Sequence, residues 1–316
     1  MRTSFPLLMC GVLFACSDDA AQSPGSTPPT EAPGPDVSVP SASGGSGTNP
    51  PPASDGGTPG ARVTGKRGLA YGHHSVADMR AISSGISWWY NWAYEPDQAL
   101  RAGYSSLGVE YVPMAWGAKS DPADLASKLL PGATALLGFN EPNFFEQANL
   151  SATESASRWP AIQSVADSRG LRLLSPAVNF CGGGCHSTDP FAYLDAFFAA
   201  CKGCRVDALA VHVYVGCKGE AGNHAKWLID HLKTYERRFS QPIWLTEFAC
   251  DDAATEEEQR LFMGDAVTYL ESDPRIERYA WFAGRADNVP HVDLLGADGQ
   301  LTALGRTYVG LPRKAP

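Results

Sequence analysis

Ala135-Leu-Leu-Gly-Phe-Asn140-Glu141-Pro-Asn143 begins as an apolar run and ends on an amide and a carboxylate. Ile243-Trp-Leu-Thr-Glu247-Phe248 repeats that pattern far downstream. Working outward, runs of the same character cover 68–71, 86–92, 111–116, 172–178, 208–214 and 278–282. Near-continuous apolar runs with little polar alternation are what strands buried on both faces look like. Between them, 153–169, 223–238 and 255–272 read as helices. Thr255-Glu-Glu-Glu258 has the acidic first turn and capping-box spacing of a helix start. The segments after the first and fifth runs are short or glycine-rich and read as loops. Strands separated by helices imply a parallel α/β fold. Eight of them within 66–312 favour closure into a single (β/α)₈ TIM barrel with somewhat irregular helices. An open doubly wound sheet is the rival, but no Gly-x-Gly-x-x-Gly or Walker loop follows the first run.

The ends bound the rest. Arg2 followed by the apolar stretch from Phe5 to Ala15 reads as an export signal, too short to span a bilayer. Leu13-Phe-Ala-Cys16 resembles a bacterial lipobox, which makes Cys16 the expected lipidation site; ordinary signal-peptidase cleavage is the alternative. Residues 17–65 are rich in Ser, Pro, Gly and Thr with little to bury, and read as a disordered tether. The chain is therefore expected to be exported, as an outer-surface or periplasmic lipoprotein or a secreted protein. Of the net charge of −9, Arg2 and the acidic Asp18, Asp19, Glu31, Asp36 and Asp55 account for −4, and the mildly acidic globular remainder with its dispersed charge argues against nucleic acid as a partner. A monomer is expected.

In a parallel barrel, reactive groups sit at the C-terminal ends of the strands. There the chain places Glu141 on the fourth run, His212 and Tyr214 on the sixth, Glu247 on the seventh and Trp281 on the eighth. The second run ends in Trp88-Trp-Tyr90-Asn91-Trp92, the third in Met114-Ala-Trp116. A lone rim glutamate is more often an ion-pair partner than a catalyst. Two of them on the fourth and seventh of eight strands face each other across the barrel mouth. His212 and Tyr214, two residues apart on a strand, lean to the same side. Of Trp88, Trp89 and Trp92 at least one should pack in the core, and Trp159 and Trp227, on helices, should pack as well. Aromatic faces interleaved with amides and hydroxyls make a cleft suited to sugars.

Phe139-Asn-Glu-Pro-Asn143 with Gln147-Ala-Asn-Leu-Ser151 resembles the fourth-strand signature of glycoside hydrolase family 128, the Asl1-like glycosyl hydrolase catalytic domain. Tyr90-Asn-Trp92, Val112-Pro-Met-Ala-Trp116, Ser175-Pro-Ala177, His212-Val-Tyr214 and Thr246-Glu-Phe248 follow in matching order, so the likeness covers 68–311. It implies a retaining endo-β-1,3-glucanase acting on β-1,3-glucan, with Glu141 matching the acid/base and Glu247 the nucleophile, and without cofactor or metal. Asn140 is placed to hold a sugar 2-OH. Tyr90, Asn91, Trp92, Trp116, Asn143, Asn179, His212, Tyr214 and Trp281 complete the expected sugar-contacting set. Phe144-Phe145 and the cysteine-bearing loops after the fifth and sixth runs lie outside the mapped likeness. Two rivals stand beside it: another retaining β-glycosidase of the same superfamily, or a tethered carbohydrate-binding protein without turnover.

Six cysteines fall in the globular part, and in an exported chain they read as disulfides. Cys217 and Cys250 follow adjacent strands and can pair across the rim. Cys181–Cys185 with Cys201–Cys204 are the favoured remaining pairs over cross-pairings, with a four-thiolate zinc site or a redox pair as the alternatives.

Overall fold

The computed structural model describes residues 65–219 and 222–313. The export signal, Cys16 and all but the last residue of the tether lie outside the described residues. Eight parallel strands alternate with seven helices. The strands are β1 (Arg67–Ala70), β2 (Trp88–Tyr90), β3 (Glu110–Tyr111), β4 (Ala135–Leu136), β5 (Arg172–Leu173), β6 (Leu209–Val215), β7 (Ile243–Cys250) and β8 (Ile276–Phe282). The helices are α1 (Val76–Ile82), α2 (Pro122–Lys128), α3 (Ala152–Arg169), α4 (Pro190–Ala200), α5 (Lys226–Arg238), α6 (Glu256–Ser272) and α7 (Ala303–Gly310). Among the described residues, no helix is long and apolar enough to cross a membrane.

Regular pairing gives a six-stranded sheet, β3-β2-β1-β8-β7-β6, and a separate pair β4-β5. Isolated parallel bridges close the circle: Met114 with Leu137 joins β3 to β4, while Leu174 with Ala208 and Val178 with Val211 join β5 to β6. The third and fifth runs carry Pro113 and Pro176, which have no N–H to donate, so their ladders are short although the chain stays extended. Barrel closure stands, with eight positions around the axis.

The helix at 255–272 starts where its acidic turn indicated. Thr255 Oγ1 accepts from the Glu258 N–H, but Glu258 reaches back to the Ala254 N–H, not to the cap residue itself. Ser151 and Glu154 form the full reciprocal box at α3, and Gly170, at φ 64°, ends that helix. The segment after the fifth strand is not a loop throughout. Past its glycines, Asp189 caps the helix and Pro190 starts it, and an apolar face carries it for eleven residues.

Side-chain parity decides what faces the axis. Arg278 lies over Trp88 and Trp244 inside the barrel, and Trp88 has room there because a Cβ on Gly68 would sit 2.4 Å from its ring. Tyr279 and Trp281 point the other way, toward the helices. At the opposite end from the candidate site, buried Arg67 bonds Tyr279 Oη at 2.9 Å and backbone carbonyls of Tyr308 and Pro312, tying the first strand to the C-terminus.

The six cysteines among the described residues form three disulfides, Cys181–Cys185, Cys201–Cys204 and Cys217–Cys250. That pairing takes up the thiolates a zinc site would need. Cys217–Cys250 spans 33 residues, and loop closure of that length constrains the unfolded chain by about 3.5–4 kcal/mol. The Cys217→Ser, Cys250→Ser double variant should lose stability of that order in urea unfolding. A midpoint that does not move would show the bridge adds nothing.

Candidate active site

The fourth strand delivers Asn140-Glu141 and then reverses. Glu141 has φ 38°, an uncommon value for a residue with a Cβ, and the turn is fixed by Phe144 N–H to Glu141 O and Leu150 N–H to Pro142 O. Trp92 has φ 59° where the second strand ends. Both departures from ordinary backbone fall at one site, where the surrounding bonds hold them.

Glu247 is buried and fully engaged. Its Oε1 accepts from Tyr90 Oη–H at 2.8 Å and Trp92 Nε1–H at 2.8 Å, and its Oε2 from Tyr214 Oη–H at 2.6 Å. His212 Nε2 lies 3.4 Å from Oε1, while Nδ1 of the same ring is 3.0 Å from Glu141 Oε1. Asn179 Nδ2 donates to that same Glu141 oxygen at 3.3 Å. One ligand atom each from Glu141, His212 and Glu247 falls within 4.8 Å of the others. The two carboxylates thus meet with an imidazole wedged between them.

Electrostatics follow from burial. Desolvation pushes the Glu247 carboxyl above its usual range; His212 opposes this, Glu141 adds to it, and the Tyr214 and Trp92 donors pull it back. All of these protein donors need an acceptor, so the carboxylate is the form that satisfies them. His212 is raised on balance: burial lowers it, and the charges of Glu247 and Glu141 overcome that. Burial, then the charge on Glu247, holds the Tyr90 and Tyr214 phenols well above their ordinary value, so both remain donors. Glu141, His212 and Glu247 could in principle offer atoms to a cation, but protein O–H and N–H groups already occupy both Glu247 oxygens. That suits an anion held as a nucleophile better than a metal ligand.

Not every expected contact residue faces this centre. Trp281 is fully buried, its indole N–H donating to Val292 O at 2.9 Å among Phe248, Phe262 and Tyr308. Strand alternation gives the inward place to Phe282 instead, whose ring lies 6.1 Å from Trp92 and 5.4 Å from Tyr214. Reading β8 in steps of two onward from Arg278 reaches Phe282. Asn143 is buried and donates to the backbone carbonyls of Asn179 and Ser187, so it clamps the loops after β4 and β5 together. Asn91 is also turned to its own loop, donating to Glu95 O at 3.1 Å and accepting from Tyr111 Oη–H. Trp88 and Trp89 are core, as is Trp159. Trp227 is not: the residue is 46 % exposed.

What remains converges. Asn140 donates from Nδ2 to Gln147 at 3.1 Å, while its Oδ1 is buried with no protein partner. Tyr90 is buried and bonded to Glu247; Trp92 and Tyr214 are half-buried beside it, and Trp116 is half-buried after β3. Gln147 is the partner that sequence reasoning left without a role.

Tyr214→Phe removes the shortest bond to Glu247. A hydrogen bond to a charged group contributes about 1.5–3 kcal/mol, so turnover should fall about 10- to 100-fold with the fold retained. Losing that donor also lifts Glu247 further. If Glu247 acts as the ionised carboxylate, the acidic limb of the pH–rate profile should move to higher pH. A limb that stays in place would show that Tyr214 does not act through Glu247.

The family model described as "Glycosyl hydrolase catalytic core" matches residues 68–308. A family 128 subgroup II endo-β-1,3-glucanase from Sorangium cellulosum is 59 % identical with a TM-score of 0.78, over 79 % of this chain and 100 % of that one. A subgroup I endo-β-1,3-glucanase from Amycolatopsis mediterranei, solved with laminaritriose, is 30 % identical with a TM-score of 0.64, over 78 % of this chain and 99 % of that one. The alkali-sensitive linkage protein 1 of Schizosaccharomyces pombe is 31 % identical over 263 residues, covering 78 % of this chain, and the match spans 45 % of that curated relative's length. The ordered motifs, the barrel and these matches agree: the chain is a glycoside hydrolase and belongs to family 128.

Proposed function

We propose that the chain hydrolyses β-1,3-glucan within the chain and with retention, by double displacement. The observation that carries this is the approach of Glu141 and Glu247, with an oxygen of each within 4.8 Å. Retaining pairs stand about 5–5.5 Å apart, whereas inverting pairs need roughly 6.5–9.5 Å to admit a water. The relatives' β-1,3-glucanase activity supports the substrate class.

Each residue then has a task. Glu247, desolvated yet held by Tyr90, Trp92 and Tyr214, attacks the anomeric carbon as the carboxylate. Glu141 takes both of its bonds on Oε1, which leaves Oε2 to carry the proton given to the departing oxygen. The same carboxylate then deprotonates the water that frees the covalent intermediate. Asn140 Oδ1 accepts from the sugar 2-OH, a bond that tightens as charge develops at the anomeric carbon. His212 touches both carboxylates and fixes their separation.

Proton NMR of early products from laminarin tests the reading. The β-anomer should form first and mutarotate. Initial α-product would mean inversion. Binding of laminarioligosaccharide with no new reducing ends would mean that turnover is absent.

A further inference from the structure

Among the described residues, four large hydrophobic side chains are exposed: Val76, Phe145, Phe180 and Trp227. Three of them are aromatic, and these sit after β4, after β5 and at the start of α5, in the sector that supplies Glu141. We propose that Phe180 and Trp227 form an aromatic strip that holds the leaving-group end of the glucan, beyond the bond being cleaved. This rests on the glucanase reading above.

Placement comes first. The Phe180 N–H donates to Asn179 Oδ1 at 2.8 Å, and Asn179 Nδ2 donates to Glu141. Phe180 is therefore one residue from a partner of the group that touches the departing oxygen. What lies past Glu141 on this side is leaving chain. Phe180 is 50 % exposed, and its inner face is backed by His231 of α5 at 4.6 Å and by Phe191 at 6.0 Å. Trp227 is one turn earlier than His231 on the same helix, so the two share a face about 5–6 Å apart. Phe180 and Trp227 are thus linked through His231, which is itself buried, and they supply the two exposed faces of the strip.

Rigidity comes next. A solvent-exposed tryptophan at a helix start would ordinarily move, but this one lies against backbone. A Cβ on Gly216 would fall 2.7 Å from Trp227 Cζ3 and 2.8 Å from Asp252 Oδ2. Only glycine lets the indole seat there, two residues past Tyr214. The Cys217–Cys250 bridge and the Cys217 N–H bond to Asp252 Oδ1 at 2.8 Å fix that seat. On the Phe180 side, the Cys181–Cys185 ring is pinned to the Glu141 loop by the Phe144–Cys185 bridge. Held aromatic faces lose little freedom on binding, which suits stacking on the C–H faces of β-linked glucose.

The test compares two substrates in Phe180→Ala and Trp227→Ala. Laminarihexaose reaches the strip; a nitrophenyl laminaribioside, whose leaving group is a single ring, does not reach Trp227. For Trp227→Ala, kcat/KM on the hexaose should fall about ten-fold while the nitrophenyl substrate changes by less than about two-fold. Phe180→Ala should lower the hexaose rate similarly and move cleavage toward shorter leaving segments. Phe180→Leu keeps packing on His231 without a ring and should share that loss. Folded variants with unchanged hexaose kinetics, or equal losses on both substrates for Trp227→Ala, overturn the strip alone. Wild-type inactivity on both substrates overturns the glucanase reading, and the strip with it.

Discussion

Glu247→Ala is expected to lower laminarin hydrolysis by at least about 10⁴-fold, since in the proposed double displacement the step that forms the covalent intermediate has no substitute in this site. The variant should still fold, because the strands and the three disulfides are untouched. It should be less stable: Tyr90, Trp92 and Tyr214 would lose a common acceptor, at about 1–3 kcal/mol for a group left unpaired, a loss that water entering the vacated space offsets. Those donors also suit a small anion. Azide should enter the space left by the carboxylate and attack from the same face, giving an α-glycosyl azide from a β-linked activated substrate. Mass spectrometry and NMR detect that product. Residual activity near wild type, or azide trapping in a β-configured product, would remove Glu247 as nucleophile. In the unmodified enzyme the acidic limb of kcat/KM should lie above the ordinary carboxylate range, because burial raises Glu247 and only its ionised form attacks.

Glu141→Gln is expected to have the second largest effect, and one that depends on the leaving group. Proton donation by a placed acid accelerates a reaction about 10²- to 10⁴-fold, and that factor should vanish for a sugar leaving group. A nitrophenolate departs without a proton, so glycosylation of the enzyme should persist. The covalent intermediate should then accumulate, because the base for the second step is also missing. A pre-steady-state burst of nitrophenol, absent with the polysaccharide, is the signature. Equal losses on both substrates would assign Glu141 to positioning instead. Glutamine keeps an oxygen for the Asn179 and His212 contacts, so an effect on fold alone should be small.

Much of the barrel was legible before any coordinates. Buried parallel strands must be apolar on both faces, and that leaves an unbroken signature in 135–140 and 243–248. The short ladders of β3 and β5 were foreshadowed by Pro113 and Pro176, although the bridges that complete the circle could not be read locally. The helix after the fifth strand was obscured by the glycines of 182–184, which belong to the disulfide loop ahead of it.

The candidate site was partly legible for a related reason. Glu141 follows β4, and His212, Tyr214 and Glu247 lie in the middle to C-terminal parts of β6 and β7, which converge on one rim, so their meeting follows from the fold class. Trp281 and Phe282 differ by one position in sequence and by opposite faces in space, and parity is set by barrel register. Asn91 and Asn143 carry the right chemistry, yet loop closure consumed their amides. Trp227 reads as helix packing until Gly216 places it on the rim.

Sequence alone determined the strand count, the two acidic strand ends and the pool of cysteines, because each is a matter of local composition and order along the chain. Tertiary structure decided which neighbours became partners: the imidazole between the carboxylates, three donors on Glu247, the inward Phe282 and the outward Trp281. Those depend on register and on loops packing against other loops, contacts between residues far apart in the chain that no local pattern encodes.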